Sequence, residues 1–81
     1  MLYRVICGRL AAGGSPGTPA AATTRDLQET FHCIHPAQLL LLELVEISPV
    51  LLVETALDWY VGEPDADGSC PAIWLEEQPG C

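Results

Sequence analysis

The sequence predicts a mostly α-helical chain: a short helical hairpin or three-helix segment between a disordered N-terminal linker and a C-terminal tail. The middle third is rich in leucine and valine at helical spacing, and proline or glycine stands at each break. The flanking segments are rich in alanine, glycine and proline, which favour linkers and turns. These changes divide the chain into 1–23, a flexible segment with a linker; 24–62, the helical segment; and 63–81, an acidic Pro/Gly-rich tail.

The first ten residues predict one short strand, and the residues after them predict a linker. The stretch from Leu2 to Ile6 is rich in β-forming side chains, although the sequence shows no partner strand for it. From Ala11 to Thr23 nearly every residue is Ala, Gly, Ser, Pro or Thr, and Pro16 and Pro19 interrupt any helix. We therefore expect the linker to be disordered.

Three helices are predicted in the middle segment, from their caps and from their apolar spacing. Thr24 is a suitable N-cap for the first, and Pro36 begins the second, which runs to about Ile47. Ser48 caps the third helix, and Gly62 ends it. The apolar stripe of the first helix, one helical turn apart at each step, consists of Leu27, Phe31 and Ile34.

The charge balance excludes nucleic acid as a partner. Three Lys plus Arg stand against 11 Asp plus Glu, so the net charge is −8 and phosphate backbones are repelled. The apolar stretch from Ala37 to Val61 is long enough to suggest a membrane span. Four acidic residues and Pro49 interrupt it, at a cost of several kcal/mol at membrane depth, so no span is predicted.

The cysteines and the first residues of the chain bear on the cellular compartment in which the protein is expected. Cys7, Cys33, Cys70 and Cys81 are spaced too widely for a paired-cysteine metal motif. The first residues carry too short an apolar run for a signal peptide, because Gly8 interrupts it. We expect reduced thiols and a cytoplasmic location.

Two clusters contain metal-binding residue types, but neither predicts a bound metal or cofactor. His32, Cys33 and His35 are too few ligands for zinc. The acidic turn after Gly62 places acidic residues as at the start of an EF-hand loop, but Trp74 stands where the closing glutamate should be. The residues of that turn that match the motif are Glu63, Asp65, Asp67 and Gly68.

No pattern predicts catalysis. Ser48 and Ser69 lack the glycine-flanked setting of an activated serine, and no base is paired with either. Close carboxylates on helix surfaces are more typical of a solvated acidic face than of an acid/base pair. We expect a protein that is not an enzyme.

A helix packed on one side needs only three or four apolar residues per two turns. The second and third predicted helices have more than this, so they cannot bury all of their apolar surface against each other. So short a segment is also small for an independent fold. We therefore expect a helical protein–protein interaction segment, either complete or a fragment or alternative product of a larger helical protein. The residues predicted to bind the partner are Leu40, Leu44, Leu52, Leu57 and Trp59.

Acidic residues mark the solvent side of these two helices, with Glu43 and Glu46 on the second and Glu54 and Asp58 on the third. The expected partner is a second copy of the chain or a protein with basic residues at the edges of the contact. Two alternatives stay open. One is a weak calcium-binding helix–loop module, and the other is a short open reading frame product without an evolved function.

Overall fold

The computed structural model is an antiparallel β-sheet with one helix packed on it. It describes residues 1–14, 17, 22–48, 53–56 and 58–78, with the backbone alone at 53–56. The elements in chain order are β1 (Leu2–Leu10), β2 (Ala22–Phe31), α1 (Ile34–Ile47), β3 (Val53–Ala56), β4 (Trp59–Val61) and β5 (Cys70–Gln78). Much of the predicted linker, including Pro16 and Pro19, lies outside the described residues.

The two ends of the described chain form the centre of the sheet. The strand order is β2-β1-β5-β4-β3, and each neighbouring pair is antiparallel. β1 and β5 pair along their whole length, from Leu2 opposite Gln78 to Leu10 opposite Cys70. β2 and β3 are therefore the edge strands of the sheet.

The prediction of a mostly α-helical fold is wrong, as is the description of the chain as α-helical. The first predicted helix is strand β2, and β3 and β4 lie within the range of the third. The second is confirmed as α1, which begins two residues earlier than Pro36, at Ile34. The strand predicted at Leu2–Ile6 is confirmed, extends to Leu10 and has two partner strands.

The misassigned first helix has a simple physical cause. Leu27 and Phe31 are four residues apart, and this spacing fits one side of a helix and one side of a strand equally well. In the structure these two residues lie opposite Cys7 and Tyr3 of β1, on the side of the sheet that carries the helix. Three threonines in the segment favour the strand, because their branched side chains fit a pleated surface.

α1 covers one side of the central strands. Alternate residues of a strand point to opposite sides of its sheet, so odd-numbered residues of β1 and β5 face the helix. The helix contributes Ala37 and Leu41, both nearly fully buried. The helix-side cluster of buried residues consists of Val5, Ala37, Leu41, Ile73 and Leu75.

The opposite side of the sheet is built around two tryptophans. Trp59 and Trp74 are cross-strand neighbours whose rings stack with centroids 4.8 Å apart and planes inclined by 7°. A stacked pair of this kind adds about 0.5–1.5 kcal/mol beyond the burial of its area. We call this group, with its buried neighbours, the tryptophan cluster: Ile6, Leu10, Trp59, Ala72 and Trp74.

A buried carboxylate is hydrogen-bonded to the tryptophan cluster. Glu76 Oε1 accepts hydrogen bonds from Trp74 Nε1 and from Arg25 Nη1, each 2.9 Å long. The guanidinium of Arg25 also lies over the Trp74 ring, 5.9 Å from its centroid. A buried charge is tolerated when it is paired and hydrogen-bonded in this way. Arg25 thereby attaches edge strand β2 to central strand β5.

Strand β2 passes unusually close to the tryptophan cluster. The pairing of β1 with β2 shifts register after Cys7 and again after Arg9, and such bulges bend a strand. Gly8 lies at the first shift, where a Cβ atom would collide with the carbonyl oxygen of Thr24 and lie 3.1 Å from Cη2 of Trp74. Glycine is the residue that this close approach permits.

We expect Gly8→Ala to lower the free energy of unfolding by about 3 kcal/mol, because the added methyl group meets backbone and a buried ring that cannot both move away. The control is Gly13→Ala. Its Cβ would meet nothing within 4 Å, and its φ of +76° makes the substitution cost only about 1–2 kcal/mol. Urea unfolding of both variants checks this prediction. Equal losses would show that β2 does not approach Gly8 this closely.

Candidate functional site: the outer face of helix α1

The side of α1 that faces away from the sheet exposes two leucines. Leu39 is 63% exposed and Leu42 is 50% exposed, whereas Leu41 between them is 2% exposed. The cause lies in the sequence, where four leucines follow one another from Leu39. Successive helical residues are rotated by about 100°, so four consecutive side chains span most of the circumference and cannot all face one sheet.

The exposed leucines line a shallow groove together with His35 and Gln38. Two carboxylates, Glu43 and Glu46, lie one helical turn further along and are exposed. We define the outer face of α1 by six residues: His35, Gln38, Leu39, Leu42, Glu43 and Glu46. Pro36 and Ile47 are exposed beside it.

The outer face has acidic side chains and no arginine or lysine. The three arginines of the chain are all on strands, and two of them have acidic partners. Arg9 pairs with Asp65 and donates hydrogen bonds to Ser69, and Arg25 pairs with Glu76. α1 has no acidic residue in its first turn and no basic residue in its last, so it lacks the charges that the helix dipole favours at each end.

The residues predicted from the sequence to bind a partner lie elsewhere. Leu40 and Leu44 are half-buried and pack against the helix-side cluster. Trp59 is buried in the tryptophan cluster, on the opposite side of the sheet. Leu52 and Leu57 lie outside the described residues. The structure thus brings Leu40 and Leu44 together on one helix and separates both from Trp59.

The leucines that are exposed could have been identified from the sequence. Glu43 and Glu46 are expected on the solvent side of this helix, and both are exposed. A side chain four residues before each of them lies on that same side. Those positions are Leu39 and Leu42. The acidic residues therefore identify the exposed side of the helix, which the apolar residues alone do not.

The acidic turn is a strand connection, so the helix–loop premise of the calcium alternative is wrong. The turn follows β4 and leads into β5. Asp65 pairs with Arg9, and Asp67 Oδ1 accepts hydrogen bonds from Ser69 Oγ at 2.7 Å and from Ser69 N at 3.0 Å. These two hydrogen bonds lower the pKa of Asp67, with a smaller contribution from the charge of Arg9.

The thiols and histidines do not converge on a metal site within the described ranges. No three His, Cys, Asp or Glu side chains there lie close enough together to hold a metal ion. Cys7, Cys33 and Cys70 are free thiols. Burial raises the pKa of the Cys7 thiol above its usual value, and the charge of Asp26 raises it further.

Cys7 and Cys33 should differ in reactivity. Cys33 is exposed, whereas the Cys7 thiol is partly shielded and its raised pKa lowers the thiolate fraction that reacts. We expect iodoacetamide to alkylate Cys33 well before Cys7 at mildly alkaline pH. Peptide mass spectrometry of samples quenched over time measures both rates. Alkylation of Cys7 at the same rate as Cys33 would contradict its placement between the sheet and α1.

Comparison with known proteins gives no match among protein-family models, curated proteins or solved structures. Within the described ranges, no helix is long and apolar enough to cross a membrane. The geometry and charge of the outer face of α1 are what bear on function.

The placement of the outer face predicts opposite results for two neighbouring leucines. Leu41→Ala removes a side chain from the core and should lower the free energy of unfolding by about 3 kcal/mol. Leu39→Ala removes a solvent-exposed side chain and should change it by less than about 0.5 kcal/mol. Urea unfolding monitored by circular dichroism measures both. A larger loss for Leu39→Ala would mean that α1 is rotated on the sheet.

Proposed function

We propose that this chain is a protein-interaction module whose docking surface is the outer face of α1, and that the surface takes up an amphipathic helix of a partner protein. The observation that carries the proposal is the exposure of Leu39 and Leu42 as neighbours on a helix whose other side is already buried. Exposed side chains of this size beside a groove are typical of contact surfaces. The two tryptophans, by contrast, are buried and stabilise the sheet.

The groove between the leucines suits a helix. Residues three and four apart on α1 form ridges, and the ridge of a second helix packs between them. Leu39 and Leu42 are three apart, so one apolar side chain of the partner can lie against both. An extended peptide would instead need an open sheet edge, which α1 does not supply.

The acidic rim determines which amphipathic helix is favoured. Glu43 and Glu46 flank the leucines, and the net charge of −8 adds a long-range negative field. A partner with lysine or arginine beside its apolar stripe is attracted, and a partner with acidic flanks is repelled. A partner whose flanks can donate hydrogen bonds to these carboxylates is likewise favoured.

A synthetic amphipathic peptide tests the proposal. The peptide carries leucines at helical spacing with lysines beside them and a fluorescent label, and binding is read from fluorescence anisotropy at low protein concentration. We expect the parent chain to bind it and the Leu39→Glu, Leu42→Glu double variant to bind at least about tenfold more weakly, because the apolar contact is lost. Added salt should weaken binding to the parent chain.

The control is a leucine exposed elsewhere, Leu27 on β2, which is 42% exposed. Leu27→Glu should not weaken peptide binding, because this position lies outside the outer face of α1. The double variant has more negative charge than the parent chain, which strengthens its attraction to a lysine-rich peptide. Weaker binding therefore reports the lost apolar contact. Equal binding to parent chain and double variant would refute the proposed surface.

A further inference from the structure

We infer that the outer face of α1 is self-complementary and that the helix it takes up is α1 of a second copy of this chain, packed antiparallel. The inference rests on the proposed function, because it identifies the partner of the same surface. It comes from the order of residues along the outer face, in which hydrogen-bond donors lie before the two leucines and carboxylates lie after them.

A two-fold axis between residues 40 and 41 brings the outer faces of two copies into register. Such an axis places Leu39 of one copy against Leu42 of the other, and each copy supplies both. It also places His35 opposite Glu46, because both side chains lie near the centre line of the face. Gln38 and Glu43 lie about 140° apart around the helix and flank the contact on opposite sides. Each central contact occurs twice, as two-fold symmetry requires. The central positions of the outer face thus meet a chemically suitable partner.

The polar contacts of this arrangement are hydrogen-bonding pairs. A histidine ring has an N–H donor in both protonation states, so His35 can donate to the Glu46 carboxylate of the second copy. The Glu46 carboxylate is the acceptor in this pair, and the His35 ring is the donor.

The parallel arrangement of the same two helices is disfavoured. It would place Glu46 beside Glu46 of the second copy near the centre of the contact, with like charges facing each other. The His35 rings would then face each other, too. The charge pattern of the outer face therefore specifies the antiparallel orientation.

The ends of α1 independently favour that orientation. Cys33 at the N-cap makes no side-chain hydrogen bond to the helix, and the first turn has no acidic residue. Glu46 lies in the last turn, where the helix dipole disfavours a negative charge. In the antiparallel pair each Glu46 lies beside the first turn of the other helix. There the dipole favours a negative charge.

The size of the surface and the net charge set the strength of the pair. The few outer-face residues of each copy fall far short of the roughly 20–30 per side of a standard interface, so the dimer is weak and forms at high protein concentration. Two chains of charge −8 repel each other. Added salt screens that repulsion and should therefore promote the dimer, whereas it weakens the complex with a lysine-rich peptide.

Sedimentation of the full chain over a wide concentration series, at low and high salt, tests the inference. We expect a reversible monomer–dimer equilibrium that salt shifts towards the dimer. His35→Glu and Glu46→Lys should each weaken the dimer about fivefold, because each disrupts two symmetric pairs at exposed positions. The double variant should regain the affinity, since the carboxylate introduced at position 35 then faces the ammonium group introduced at position 46 of the second copy.

Recovery in the double variant is specific to antiparallel pairing. Positions 35 and 46 are about three helical turns apart, about 16 Å within one helix, and cannot contact each other there. Two charge-matched variants outside the surface serve as controls. Gln28→Glu on β2 adds the same charge as His35→Glu, and Glu63→Lys in the acidic turn adds the same charge as Glu46→Lys. Both positions are exposed.

The outcomes separate the inference from the proposed function. A parent chain that stays monomeric at every concentration, or a double variant no stronger than Glu46→Lys alone, overturns self-pairing. Binding of the lysine-rich peptide in the same samples would still uphold the docking surface. Loss of peptide binding in Leu39→Glu, Leu42→Glu together with recovery in the charge-exchanged dimer supports both.

Discussion

The pairing of β1 with β5 is the constraint on which the rest of the structure depends. These two strands join the beginning of the chain to its end along nine residue pairs, with β2 paired to one of them and β4 to the other. α1 rests on one side of the pair, and Trp59 stacks on Trp74 on the other. All contacts between β1 and β5 join residues that are distant in sequence, so each requires a long loop to close. The entropic cost of closing this loop is offset by the burial of the two clusters that the strand pair creates.

The two sides of this central pair bury their apolar residues in different ways. The helix side uses aliphatic residues covered by α1. The opposite side has large rings, a buried carboxylate and a bent edge strand, with none of the described helix over it. Arg25 reaches from β2 to Glu76, and its guanidinium lies over the Trp74 ring. The arginine side chain thereby shields part of this apolar ring from water. In so small a chain, one helix covers the helix-side cluster, and the bent edge strand β2 lies against the tryptophan cluster.

Local patterns in the sequence identify α1 and the beginning of β1, and they fail where distant partners decide the structure. Trp59 and Trp74 are 15 residues apart in sequence, so no helical or strand period connects them. The apolar residues of β2 fit both periods, and only the pairing of this strand with β1 separates the two. The exposed side of α1, which we propose as a docking surface, could nearly be identified from the sequence, since Glu43 and Glu46 mark it. The predicted ridge of Leu40 and Leu44 packs inward instead, because the sheet that it covers is formed by strands that the local patterns do not reveal.

The distribution of charge explains why the exposed leucines need not make the chain aggregate indiscriminately. The chain has three cationic side chains, all on strands, and Arg9 and Arg25 are engaged by carboxylates within the fold. The outer face of α1 therefore repels most approaches of another copy, because an acidic surface meets it in nearly every orientation. In the dimer that we propose, the antiparallel pairing escapes this repulsion at close range, because His35 meets Glu46 of the second copy. The apolar contact would supply the attraction, and the placement of His35 before the leucines and of Glu46 after them would select the orientation.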